Sequence, residues 1–308
     1  MQVDYLKKAS DAHLLNLKES SSVSDYLALL KPRVMSLAVF TSLCGLLIAP
    51  GNLHPFLGFI SIVCISLGAG ASGAINMWYD KDIDSVMDRT KQRPLPRGAI
   101  FDKNALGFGV LLAISAIIIL GLAVNYFTAF LLASSILFYV FIYTVWLKRR
   151  THHNIVIGGA AGAFPPLIGW ASVTNDLTLY PILLFLTIFF WTPPHFWALS
   201  LYKDTEYSKV NIPMLPLVVG HQKTKEQILI YTLILSLISL TPFYFGFTGY
   251  VFLSIVSTLN LIFIIYSVLL VFENKSNSKT VSHAPFIFKY SILYLYIYFL
   301  TLVVENFT

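Results

Sequence analysis

Long apolar runs constrain the folding of this chain more than any other feature of its sequence. A helix needs roughly 17–25 residues to cross a bilayer. Only 12% of the 308 residues are charged, whereas soluble domains carry about a quarter. The sequence predicts an all-α integral membrane protein with nine transmembrane helices, near residues 34–50, 56–78, 104–124, 127–147, 154–172, 179–200, 227–246, 250–271 and 285–304.

The distribution of Lys and Arg predicts the orientation of these helices. The arm before the first run and the loops 79–103, 148–153, 201–226 and 272–284 hold 20 of the 21 basic residues, and the intervening loops hold none. By the positive-inside rule the N-terminus is cytoplasmic and, with nine spans, the C-terminus lies outside. The net charge of +6 then reflects topology and phosphate binding. We expect no nucleic-acid partner, because no basic stripe or aromatic platform is present.

The first residues predict a location and a domain division. Acidic residues at 4, 11 and 19 make the arm unlike an acid-poor mitochondrial transit peptide. We therefore expect a multi-pass protein of a bacterial cell (inner) membrane rather than of the mitochondrial inner membrane. Residues 1–30 are predicted to form a cytoplasmic tail, and residues 31–308 a single membrane domain.

A cluster of carboxylates closes the second apolar run. Asn76, Asp80 and Asp84 are spaced four residues apart, which spreads them over about 80° of a helix surface. Grouped oxygen ligands suit Mg²⁺, which is held by one or two carboxylates and substrate phosphates. Four basic residues follow that could hold phosphate oxygens: Arg89, Lys91, Arg93 and Arg97. The pattern indicates a metal-diphosphate site, although a solvated loop of paired charges would also explain it.

A second polar cluster closes the sixth run. Pro193 and Pro194 interrupt the apolar span and free backbone carbonyls. His195 follows them and is either a structural residue or a functional one. Asp204 and Glu206 could hold a second Mg²⁺ or be ordinary loop charges. Small residues at 68–74 and 158–163 indicate either close helix packing or room for a bulky apolar ligand.

The chain resembles the intramembrane prenyltransferase superfamily, and within it the heme O synthase (protoheme IX farnesyltransferase) family. The superfamily hallmark Asn-x-x-x-Asp-x-x-x-Asp is matched by Asn76, Asp80 and Asp84. Agreement with the narrower family extends over the segments 80–84, 87–90, 93–95, 154–170, 191–197 and 212–216. One departure is that Asp204 is followed four residues later by Ser208, so the second Asp-x-x-x-Asp of quinone-type members is incomplete.

The resemblance implies nine helices around a central cavity, and farnesyl transfer from farnesyl diphosphate to heme b with Mg²⁺. It also implies the bilayer and a heme A synthase as partners. The implied catalytic residues are Asn76, Asp80, Asp84, Arg89, Arg93 and His195. The implied substrate-binding residues are Lys91, Arg97, Asn154, Trp191, Trp197 and Tyr207. The implied metal ligands are Asn76, Asp80 and Asp84, with Asp204 and Glu206 as joint candidates for a second ion.

Three other interpretations of the sequence remain open. A prenyltransferase acting on a hydroxybenzoate or naphthoate ring would share the same metal site. A transporter would also contain broken helices, and a non-catalytic partner in oxidase assembly would need no reaction. The segment 148–153, with three basic residues and two histidines, could meet heme propionates or could simply mark the cytoplasmic side.

Overall fold

The computed structural model describes residues 21–273 and 283–307, and all regular elements in these ranges are helical. In chain order they are α1 (Val23–Leu29), α2 (Pro32–Ile48), α3 (Pro55–Tyr79), α4 (Lys81–Val86), α5 (Asp102–Ala123), α6 (Tyr126–Leu137), a π-helix (Phe138–Leu147), α7 (Asn154–Thr174), α8 (Leu179–Tyr202), α9 (Asp204–Ser208), α10 (Leu215–Val219), α11 (His221–Ser239), α12 (Thr241–Tyr244), α13 (Tyr250–Phe272) and α14 (His283–Asn306).

The helices confirm an integral membrane protein. Within the described ranges, 8 helical segments are long and apolar enough to cross a bilayer, with α6 and the π-helix acting as one segment and α11 and α12 as another. The count reaches 9 if α1 and α2, which meet at a bend of 57°, are a single broken span. Every predicted apolar run is helical, because a chain in lipid must satisfy its backbone hydrogen bonds within the segment itself.

Close backbone approach joins α2 to α7. A Cβ added to Gly45 would lie 2.3 Å from the carbonyl oxygen of Pro166, and one added to Gly169 would lie 1.9 Å from that of Ser42. Only glycine fits at such crossings. In contrast, a Cβ on Gly162 would meet nothing within 4 Å. Within the predicted stretches, Gly68 and Gly158 do pack closely, since an added Cβ would lie 2.8 Å from Leu132 and 2.2 Å from Tyr143, respectively. Close packing is therefore confirmed for these residues, and room for a bulky ligand stays a prediction.

The core forms two large clusters on either side of α7. One gathers apolar side chains of α3, α5, α6 and α7, and the other those of α8, α11, α13 and α14. The second cluster also buries a polar network in which Asn260 accepts a hydrogen bond from Tyr294 (2.8 Å) and donates to Ser239 (3.0 Å). Buried polar groups with partners on neighbouring helices hold these helices together.

Candidate functional site

The three residues of the predicted metal site are buried at the end of α3. Asn76 belongs to α3, Asp80 lies between α3 and α4, and Asp84 belongs to α4. The helix is therefore interrupted at Asp80, but its hydrogen bonds continue, from Asp80 N to Asn76 O (3.0 Å) and from Asp84 N to Asp80 O (2.8 Å). The spacing of four residues is preserved, and all three residues are at most 4% exposed.

Each of these side chains meets a cation from a different part of the chain. Lys31 donates a hydrogen bond to Oδ1 of Asn76 (2.6 Å), and Arg93 donates one to Oδ2 of Asp84 (2.6 Å). Lys148 is bound to Oδ2 of Asp80. A buried carboxylate without a partner would be costly, so Arg93 and Lys148 make burial of the two acids possible.

One oxygen of the cluster remains without a hydrogen-bond donor. Oδ1 of Asp80 is buried and has no such partner among the described residues; the Arg149 guanidinium lies 3.6 Å from it. The described side chains include no group of three His, Cys, Asp or Glu residues close enough to hold a metal alone. This donor set fits Mg²⁺, which typically takes few protein carboxylates and completes its shell with phosphates and water.

Lys31 contacts the candidate site, which the sequence patterns did not reveal. Its backbone is left-handed (φ 54°, ψ 54°), directly before the first residue of α2. A non-glycine residue in this conformation is strained, and such strain clusters at functional sites. The preceding helix α1 starts with a capping box between Ser22 and Asp25, and Asp25 is paired with Arg97. These contacts fix the chain segment from which Lys31 reaches Asn76.

Arg149 covers the outer flank of the cluster. Its guanidinium donates two hydrogen bonds to Asp82 (2.7 and 2.8 Å) and one to the carbonyl of Tyr79 (3.1 Å), and it lies 4.9 Å from the Tyr79 ring centroid. The hydrogen bonds from Arg149 hold the pKa of Asp82 below its usual value. Lys148 and Arg149 thus contact acidic residues, and the neighbouring His152 and His153 rings lie against each other at a tilt of 39°, with their centroids 4.1 Å apart.

The four predicted phosphate-binding residues separate into two groups. Arg93 reaches the carboxylate cluster, as described. The others lie further out: Lys91 pairs with Asp88 (2.8 Å), Arg97 with Asp25, and Arg89 is exposed. Asp88 also accepts a hydrogen bond from Lys209 (3.0 Å), which joins the loop after α4 to the loop after α9. Hydrogen bonds from Lys91 and Lys209 lower the pKa of Asp88 to about 2.

His195 is held between two aromatic rings in the second half of the bundle. It stacks on Trp191 (4.4 Å between centroids) and on Phe288 (4.6 Å). Its Nδ1 is 2.7 Å from the hydroxyl of Ser291, and Trp191 donates a hydrogen bond to the carbonyl of the same serine (2.7 Å). Because Ser291 engages Nδ1, any role on a substrate would fall to Nε2.

Several remaining candidates have polar atoms without partners. Buried atoms that lack a hydrogen-bond partner among the described residues include Oε2 of Glu206, Oδ1 of Asn154 and Nε1 of Trp197. Tyr207 packs, partly buried, against the second core cluster. The side chain of Asp204 lies outside the described part of the structure. Unpaired buried polar atoms are rare in folded proteins, so these atoms fit a surface that receives a ligand.

Comparisons with known proteins agree with the motifs. A model of the UbiA prenyltransferase family matches residues 38–293. The chain is 51% identical over 291 residues to the protoheme IX farnesyltransferase of Granulibacter bethesdensis, which covers 93% of this chain and 92% of the relative. It is 53% identical over 285 residues to that of Sinorhizobium fredii, which covers 92% and 89%.

Two solved structures share the fold. A digeranylgeranylglyceryl phosphate synthase superposes with a TM-score of 0.76 at 18% identity, over 92% of this chain and 98% of that one. A UbiA homologue from Archaeoglobus fulgidus bound to DMAPP and Mg²⁺ superposes with a TM-score of 0.62 at 16% identity, over 91% and 99%. The family matched covers most of the sequence, and the resemblance seen in the motifs is confirmed. The chain belongs to the UbiA prenyltransferase family.

Proposed function

We propose that this chain transfers the farnesyl group of farnesyl diphosphate to a vinyl group of heme b, giving heme O and diphosphate. The bond between the farnesyl carbon and the diphosphate oxygen breaks, and its electron pair leaves with diphosphate. A vinyl carbon of heme b bonds to the farnesyl carbon, and one water molecule supplies the hydroxyl of heme O and releases a proton. The family membership and the names of relatives about 50% identical support this reaction.

The observation that carries the proposal is Oδ1 of Asp80, which is buried, receives no hydrogen bond within the described residues and lies 3.6 Å from the Arg149 guanidinium. Asn76, Asp80 and Asp84 would hold Mg²⁺, and Asp204 or Glu206 would hold a second ion. Bound Mg²⁺ supplies positive charge against the negative charge that develops on the departing diphosphate. The unpaired Oε2 of Glu206 supports its candidacy.

The basic residues would bind the diphosphate in two tiers. Lys31, Arg93 and Lys148 already touch the carboxylate cluster, so their ammonium and guanidinium groups can hold phosphate oxygens next to it. Further out lie three candidates that would guide and retain the anion: Arg89, Lys91 and Arg97. Preorganised cations of this kind stabilise charge that grows as the bond breaks.

The aromatic and amide candidates would form the acceptor side of the site. Trp191 and Trp197 are buried in α8, where their ring faces can stabilise an allylic cation. His195 would ligate or orient the heme iron through Nε2, a role that histidine commonly takes. Alternatively, the same nitrogen would transfer a proton. Asn154 and Tyr207 would contact substrate, and the unpaired Oδ1 of Asn154 favours that role.

The proposed setting is a bacterial cell (inner) membrane. We place nine spans there, with α2 as the first, around a central cavity that admits the farnesyl tail from the bilayer. The N-terminus and the basic loops would face the cytoplasm, and the C-terminus would lie outside. Residues 1–30 would precede a single membrane domain, residues 31–308. A heme A synthase would receive the product.

Product analysis tests the proposal. Detergent-solubilised protein is incubated with heme b, farnesyl diphosphate and Mg²⁺, and extracted hemes are identified by mass spectrometry. We expect heme O from the wild type, none with EDTA, and at least a hundredfold less from Asp80→Asn, because oxyanion-stabilising groups contribute on that order. The matched control is Asp102→Asn, whose carboxylate forms a half-exposed pair with Lys81. Prenylation of a hydroxybenzoate in place of heme would overturn the choice of acceptor.

A further inference from the structure

The π-helix brings one of its residues, and the residue directly after it, against the carboxylate cluster. Thr144 lies within it, and Lys148 directly follows it with a π-type hydrogen bond from its N–H to the carbonyl of Tyr143 (2.9 Å). Thr144 contacts Asn76 while Lys148 contacts Asp80. Thr144 and Lys148 are four residues apart, as are Asn76 and Asp80, so the two segments meet in register. Such π-helical turns are rare and are frequent at functional sites.

The hydroxyl of Thr144 has a defined hydrogen-bond direction. Thr144 is fully buried, and its Oγ1 donates to the carbonyl of Tyr139 (2.9 Å), five residues earlier. A hydroxyl has a single proton. Once that proton is given to Tyr139, Oγ1 can only accept a hydrogen bond from Asn76. The partner atom of Asn76, 3.1 Å away, must therefore be the amide nitrogen.

This direction fixes which way the Asn76 amide points. Nδ2 of Asn76 donates its two protons to Thr144 and to Oδ2 of Asp80 (2.8 Å), and Oδ1 consequently faces Lys31. Asp80 and Lys31 both belong to the charged groups that would engage a metal diphosphate. Thr144 is neutral and is bound to its own helix, so its contact with the amide can persist when the charged partners rearrange.

We propose that Thr144 is a positioning residue that keeps Oδ1 of Asn76 directed toward the cation site. This inference rests on the proposed function, because it deepens the role of Asn76 in binding Mg²⁺ with a diphosphate. The π-helix is the structural means of placing the hydroxyl there, and Gly158 provides the space it needs, since any Cβ at that position would lie 2.2 Å from the Tyr143 ring.

The test compares Thr144→Ser with Thr144→Ala, two variants that differ by one oxygen atom. Binding of Mn²⁺ with inorganic diphosphate is followed by water-proton relaxation, and the Mg²⁺ dependence of product formation is measured in parallel. We expect the Ala variant to bind Mn²⁺-diphosphate about fivefold to tenfold more weakly, the range expected for one neutral hydrogen bond. The Ser variant should remain close to the wild type, and the Ala effect on turnover should diminish at saturating Mg²⁺.

A double-mutant cycle separates positioning from packing. The Asn76→Asp variant carries two equivalent carboxylate oxygens and has no amide that could turn the wrong way. The loss of Mn²⁺-diphosphate affinity caused by Thr144→Ala should therefore be smaller in the Asn76→Asp background. Equal losses in both backgrounds, or equal binding by the Ser and Ala variants, would overturn the inference while leaving the proposed function intact. Wild-type protein that binds Mn²⁺-diphosphate normally but yields no heme O would overturn the proposed function instead. Wild-type protein that binds no Mn²⁺-diphosphate would overturn both.

Discussion

Nζ of Lys31 lies 2.6 Å from Oδ1 of Asn76, although 45 positions of sequence separate the two residues. The residue before α2 thus touches the last turn of α3, and its amino group contacts the atom that would bind Mg²⁺. The left-handed backbone of Lys31 directs the side chain there.

Replacing Lys31 with Met should weaken use of the prenyl diphosphate. The variant keeps most of the length of the side chain and loses its amino group, and hydrogen bonds to charged groups contribute about 1.5–3 kcal/mol. We therefore expect kcat/KM for the diphosphate substrate to fall about tenfold to a hundredfold. The control is Arg33→Met, two residues further on and exposed; comparable losses in both variants would show that only general positive charge matters.

A methyl group at Gly158 should disturb the π-helix. The added Cβ would overlap the Tyr143 ring at 2.2 Å, and overpacking of this kind typically costs about 1–3 kcal/mol. Gly158→Ala should lower the thermal unfolding midpoint in detergent together with the activity. Gly162→Ala, on the same helix, should be neutral or stabilising because open space surrounds that position and alanine favours helix. Identical behaviour of the two variants would contradict the close packing of position 158 against the Tyr143 ring.

Truncating His195 to Ala should destabilise the second half of the bundle. Trp191 and Phe288 would lose the ring between them, and large-to-small changes of buried aromatic groups cost on the order of 3 kcal/mol. Added imidazole should restore part of the thermal stability by occupying the space. His153→Ala, in an exposed position, should change stability by less than about 0.5 kcal/mol. An unchanged unfolding midpoint for His195→Ala would show that the imidazole ring does not stabilise the fold.

The Asp88 bridge between the two loops should respond to salt and not to moderate acid. A lowered pKa means that the charged form, and the contact it makes with Lys91 and Lys209, persists until the pH falls toward about 2. The pairs are more than half exposed on the Asp88 side, so salt screens them. Limited proteolysis of the loop 209–214 should accelerate with NaCl and stay constant from about pH 5 to 9. A cleavage rate that changes within that pH range, or that does not respond to NaCl, would show that another group controls the loop.

The membrane fold could be predicted well from sequence because lipid imposes a simple requirement on every span. A run of apolar residues must form its own backbone hydrogen bonds there, so each predicted run is helical in the structure. The ends were harder to place, since polar residues extend the helices past the apolar stretch. Helix α11, for example, begins at His221, before the apolar run predicted from residue 227.

The site was only partly predictable, for a different reason. Asn76, Asp80 and Asp84 follow a local spacing, which is visible in one segment of sequence. Lys31 and Thr144 both contact Asn76, across 45 and 68 positions of sequence, and no local pattern encodes such contacts. The π-helix could not be predicted from sequence either, because its composition is that of any apolar span.

The pairing of Asp80 with Lys148 also has a consequence for biosynthesis. During translation Asp80 leaves the ribosome 68 residues ahead of Lys148, so the nascent chain carries this carboxylate before its counter-ion exists. An unpaired charge resists entry into hydrocarbon, and the acidic turn should remain in water until the π-helix has been made. Maturation of this corner of the bundle is therefore tied to the order of synthesis, and a nascent chain released before residue 148 would lack the group that neutralises it.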